Sequence, residues 1–125
     1  MLAEDPTLGE HGYGVYKGWT KTPTDRAAEL RRLREELLSH RAEIDTVYDW
    51  LVTNLSPIKT LTECSYSLKH IAERAIGTYV SNGQLIAAAL MAGYPTGRPR
   101  GHNVLVAVSR RDLKRVLDGR WSRTF

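Results

Sequence analysis

Leu30, Leu37, Ile44 and Leu51 recur every seven residues, and Leu33, His40, Val47 and Asn54 occupy the second seam position of the same repeat. Apolar side chains at this spacing form a stripe along one side of a helix, and such a stripe has to be buried. Thr22, Pro23 and Asp25 supply a cap, a first-turn proline and a first-turn acid, while Ser56–Pro57 breaks the pattern. A heptad helix is therefore predicted over residues 22–55. At roughly 1.5 Å per residue it would be on the order of 50 Å long, more than a small monomer covers easily. Two resolutions follow. One is a coiled coil with a second copy, through Leu30, Leu33, Leu37, Ile44, Val47 and Leu51. The other is a bend near Ser39–His40 into a helical hairpin. A third, plainer reading is one amphipathic helix on a globular core. Self-association is favoured, so a homodimer is expected, with His40 and Asn54 as polar register-setting positions.

Residues 1–21 form a glycine-rich arm in which Gly12–Tyr16 is a candidate short strand. Tyr13, Tyr16 and Trp19 imply docking, because such rings bury large apolar areas. A helix is predicted over 62–76, with Cys64, Leu68, Ile71, Ala72 and Ala75 as its apolar stripe and Gly77 as a left-handed cap. Asn82–Gly83 resembles a hairpin turn, but Ser81 with Gln84 three residues on is a capping box. The following Leu, Ile and Ala residues lack strand alternation, so a helix over 82–92 is expected, buried nearly all round. Pro95–Gly101 reads as a loop. Val104, Val106 and Val108 alternate as in a strand, whose partner is expected to be the Tyr13–Tyr16 region or a second subunit. Ser109 and Asp112 start a last helix with Leu113, Val116 and Leu117 inside and Gly119 as its stop. Trp121 and Phe125 are placed to tuck back on the core. The fold class is mainly α, with one or two short strands. Three segments are expected: the arm 1–21, a helical core 22–94 and a basic strand–helix segment 95–125.

The chain has 125 residues, enough for one modest core. Leu2 and Ala3 followed by Glu4, Asp5 and Pro6 predict no signal peptide, and no apolar run approaches a membrane span. The single cysteine, Cys64, fits a reducing cytoplasm. Charge is asymmetric: residues 1–94 carry ten Lys/Arg against twelve Asp/Glu, and residues 95–125 carry eight against two. Those eight are Arg98, Arg100, Arg110, Arg111, Lys114, Arg115, Arg120 and Arg123. A basic end on a near-neutral body points to an anionic partner, most often nucleic acid. Gly97–Arg98–Pro99–Arg100–Gly101 resembles the core of an AT-hook, although Thr96 stands where another arginine is usual.

Tyr66, Lys69, His70 and Glu73 share one helical face. His70 and Glu73 suit an acid–base pair, with Tyr66 or Lys69 stabilising charge, as in a small hydrolase or nuclease. The alternative is a polar stripe with an ordinary Lys69–Glu73 pair. Cys64 lies about 240° from His70 around a helix and is a poor nucleophile candidate. His11, His40, His70 and His102 show no metal-ligand spacing, and no phosphate-cradling glycine loop follows a strand. Neither metal nor cofactor is expected. Helices 65–76 and 82–92 invite a helix-turn-helix reading, but the second offers only Asn82 and Gln84 to base edges.

Ser65–Tyr66–x–Leu68–Lys69–His70–x–x–Glu73, with Tyr79–Val80–Ser81–Asn82–Gly83 and the Ala-rich helix to Gly93, resembles a group of small uncharacterised proteins of bacteriophages and mobile elements. The match covers about 30 of the 125 residues. It implies an origin, and hence a host-cell cytoplasm, rather than a mechanism. The favoured function is a non-enzymatic accessory or regulatory protein that binds nucleic acid through its basic end. A factor that blocks or redirects a host or defence protein comes second. An enzyme on the Tyr66–Glu73 face comes third.

Overall fold

The computed structural model describes residues 8–10, 12–13 and 23–124. They form, in order, β1 (Leu8–Gly9), β2 (Gly12–Tyr13), α1 (Pro23–Ser39), α2 (Arg41–Asn54), β3 (Glu63–Cys64), α3 (Ser65–Ile76), α4 (Asn82–Met91), β4 (Leu105–Val106) and α5 (Arg110–Thr124). The protein is mainly helical, with two short two-stranded antiparallel sheets, β1–β2 and β3–β4. Tyr16 and Trp19, and the Thr22 cap, lie outside the described residues.

The heptad pattern does not produce one rod. The chain leaves helical geometry at His40 (φ −99°, ψ 36°), which separates α1 from α2. The Ser39 hydroxyl donates back to the Glu36 carbonyl at 2.6 Å, a local bond that competes with helix continuation. His40 itself turns toward Glu10. Leu33, Leu37, Ile44, Val47 and Leu51 are all buried within this one chain, and Leu30 is half-buried. α1 packs on β1, and α2 packs on α4 and α3. The seam is thus occupied by the chain's own core. Asn54 donates to the Trp50 carbonyl within α2 at 2.9 Å.

α4 is the centre. Residues 82–89 are buried on every side, as the unbroken apolar run requires. Its start carries the expected capping box: the Gln84 N–H donates to Ser81 Oγ at 3.1 Å, and the Ser81 N–H donates to Gln84 Oε1 at 3.3 Å. Gly83 lies directly beneath the β1–β2 turn and donates its N–H to the Glu10 carbonyl at 3.0 Å. A Cβ there would sit 1.9 Å from the Gly9 carbonyl oxygen, so only glycine permits this approach. α3 ends at Gly77 in the left-handed region (φ 92°). Tyr94 donates its hydroxyl to the Leu51 carbonyl at 2.9 Å and to that of Leu55, closing the end of α2. Burial there pushes the phenol pKa up to about 12.

Several local expectations are corrected. α3 starts at Ser65, and Cys64 is a half-buried strand residue before it rather than part of the helical stripe. The partner of β4 is β3, with Glu63 opposite Val106 and Cys64 opposite Leu105, and neither the Tyr13 region nor a second subunit. Ser65 and Thr62 decide this pairing. Ser65 exchanges backbone and side-chain bonds with Val104. The Thr62 hydroxyl accepts from the Val108 N–H at 3.1 Å and donates to the Val108 carbonyl at 2.8 Å. The 95–101 loop is an arm folded back on 103–106, with bridges Thr96–Val106 and Arg100–Asn103. Arg100 therefore borders a turn rather than lying in an open AT-hook strand. Gly119 does not stop α5, which runs to Thr124.

Candidate functional site

The i, i+3, i+4 spacing on α3 brings Tyr66, Lys69, His70 and Glu73 together as expected, but their environments differ. Tyr66 is exposed, His70 half-buried and Lys69 only 8% exposed. The Lys69 ammonium lies 5.5 Å from the Tyr66 ring centre and 5.1 Å from that of Tyr79, and the Tyr66 and His70 rings meet edge to face. Lys69 Nζ donates to Glu73 Oε1 at 3.5 Å, and His70 Nδ1 is 3.5 Å from Glu73 Oε2.

Glu73 is the hub. Its Oε1 also accepts the Val80 N–H at 3.1 Å. That bond, more than the nearby Lys69 charge, holds its carboxyl below the usual carboxylate range. Burial, reinforced by Glu10 and Glu73, pushes the Tyr79 phenol up. Glu73 thus ties the α3 stripe to the capped start of α4.

Three further members were missed in the sequence. Glu10, 4% exposed, accepts from Gln84 Nε2 at 2.9 Å through Oε1 and faces His40 Nδ1 at 3.1 Å through Oε2. The hydrogen bond to Glu10 raises the His40 pKa above its ordinary value. With Nδ1 engaged by the carboxylate, Nε2 remains for any proton exchange at the surface. Gln84 was legible as a cap, but not as the residue whose amide reaches the arm. A polar chain now runs from His40 through Glu10, Gln84 and Ser81–Val80 to Glu73 and Lys69. It fastens the β1–β2 turn, the α1–α2 break, α3 and α4 at one point. Asn82 extends it, donating to the His102 carbonyl at 3.1 Å and to Asn103 Oδ1 at 2.9 Å.

The basic residues lie apart from this network in the chain order. Arg98 and Arg100 are exposed on the folded-back arm, and Arg110, Arg111, Lys114 and Arg115 are exposed on α5. Arg115 faces Asp112 at 3.3 Å and Lys114 faces Asp118 at 3.8 Å. Asp112 also accepts the Ser56 N–H at 2.8 Å, which lowers its pKa. The side chains of Arg120 and Arg123 lie outside the described residues. Among the described residues, no group of three or more His, Cys, Asp or Glu is placed to hold a metal ion. None of the described helices is long and apolar enough to cross a membrane. Burial of α4 leaves it without a face for reading bases.

No protein-family model, no curated protein and no solved structure matches the chain.

Proposed function

We propose that the protein binds nucleic acid without chemistry, through the phosphates, as a small accessory or regulatory factor of the bacteriophage and mobile-element type that its central motif resembles. One observation carries this reading. Between residues 98 and 115, six cationic side chains stand exposed; of the two acids in or just beyond that stretch, Asp112 faces Arg115 and Asp118 faces Lys114. Arg98, Arg100, Arg110 and Arg111 form no ion pair among the described residues. Exposed cations in this arrangement neutralise phosphates and release counterions. If two copies associate, they do so through a surface other than the heptad seam.

The test is binding of a random duplex and of single-stranded RNA as salt rises from about 50 to about 200 mM. With six phosphates neutralised on duplex DNA, affinity is expected to fall about a thousandfold. Arg98→Glu combined with Arg110→Glu is expected to flatten that dependence. Salt-insensitive binding, or none at low salt, removes the proposal.

A second reading is capture of a host protein. Exposed Tyr66 and Tyr79 support it, being aromatic anchors beside one another's lysine contact. A hydrolase on the same face has less support, since Lys69 is buried between two rings and Glu73 is engaged by the Val80 N–H.

A further inference from the structure

A cleft of about 660 Å³ opens between α2, α3 and α5, within the roughly 300–1,000 Å³ typical of small-ligand sites. Its floor is apolar: Trp50 from α2, Ile71 from α3, and Val116 and Leu117 from α5, all packed against the core yet partly open. Both charged residues that line it are arginines, Arg74 from the last turn of α3 and Arg115 from α5. Arg74 forms no ion pair among the described residues, and Arg115 is exposed while facing the largely buried Asp112 at 3.3 Å.

An indole floor with two guanidinium groups matches a flat ring that carries an anion, which would compete with Asp112 for Arg115. A fatty-acid tail would want a wholly apolar lining, whereas Thr53 and Asn54 add polar groups to this one. Arg115 also belongs to the basic face of α5, so the cleft continues the proposed phosphate path. We infer that the cleft receives one unpaired nucleotide of a single strand: the base lies against Trp50 and the aliphatic wall, and its flanking phosphates meet Arg74 and Arg115. This rests on the nucleic-acid reading above and adds its preferred substrate. A paired base cannot enter without leaving its stack, so single strands are favoured over duplex.

The experiment measures anisotropy of labelled oligothymidylate and of a duplex of equal length, with wild type, Arg74→Ala and Ala75→Phe. Both substituted residues are exposed on α3 and outside the basic end; the phenylalanine is placed to fill the cleft. Thermal melting confirms the fold of each, and Arg74→Ala keeps the test valid if Ala75→Phe does not fold. The single strand is expected to bind wild type about tenfold tighter than duplex, and each variant to lose about tenfold for the single strand alone. Equal binding of both nucleic acids, or folded variants that bind the single strand like wild type, overturns the cleft assignment while leaving the basic end standing. Absence of salt-dependent binding to either nucleic acid overturns both readings together.

Discussion

Glu73 and His40 are half-exposed residues whose weight comes from what they hold. Glu73 accepts the N–H of Val80, a buried residue just before the α4 cap. Glu73→Ala leaves that N–H without its acceptor, at a cost of about 1–3 kcal/mol. A drop in melting temperature larger than that of His70→Ala is the expected outcome, because His70 only flanks the carboxylate. The two groups also set opposite pH limits. Glu73 has a depressed pKa, so its contribution is full above the ordinary glutamate range and is lost as pH falls through the folded value. His40 has a raised pKa, so its contribution is full below the ordinary histidine value and is lost as pH rises through the folded one. Melting temperature is therefore expected to decline as pH rises from the ordinary histidine value, about 6.5, through the raised folded one. His40→Gln, which cannot titrate, should flatten that decline; an unchanged slope would show that another group causes it.

At the scale of elements, two glycines separate packing from propensity. Gly83 sits under the Gly9 and Glu10 carbonyls, and a Cβ would press on backbone from both. Gly83→Ala is expected to cost about 2 kcal/mol or more, because the turn and α4 cannot separate without breaking the bonds that Gly83 N–H and Gln84 Nε2 donate to Glu10. Gly119 is exposed in α5 with open space around it and ordinary backbone geometry. Gly119→Ala should stabilise by about 0.5–1 kcal/mol through helix propensity. Thermal melts of the pair give the comparison, and a destabilised Gly119→Ala would mean that α5 does not continue through that residue. The helix starts at Pro23 and Asn82, the cap at Gly77 and the burial of α4 were readable locally, since each depends on contacts within a few residues. The α1–α2 break was readable only as an alternative, a bend near Ser39–His40; choosing it over the favoured coiled coil depends on Ser39 back-bonding and on Glu10, thirty residues before His40.

For the whole molecule, the heptad seam faces inward. Ile44→Ala removes a fully buried side chain and is expected to destabilise by about 2–5 kcal/mol. If the seam belongs to one chain's core, the melting temperature of both proteins is independent of protein concentration. A melting temperature that rises with concentration in wild type, and ceases to do so in the variant, would return the seam to an interface between copies.

What the sequence by itself determined is the local grammar: which segments are helical, where α4 is capped, that α4 is central, and that the positive charge gathers after residue 94. These follow from periodicity, capping chemistry and composition, which act over one or two turns. Tertiary structure alone decided the rest. It set β4 against β3 through Thr62 and Ser65, closed the Glu10–Gln84–His40 network, buried Lys69 between Tyr66 and Tyr79, and opened the cleft between Trp50, Arg74 and Arg115. Each of these joins residues separated by tens of positions, except the Lys69 cage, which needs the turn after Gly77 to return Tyr79. Whether such groups meet is fixed by the packing of whole elements, and no spacing in the chain encodes that directly.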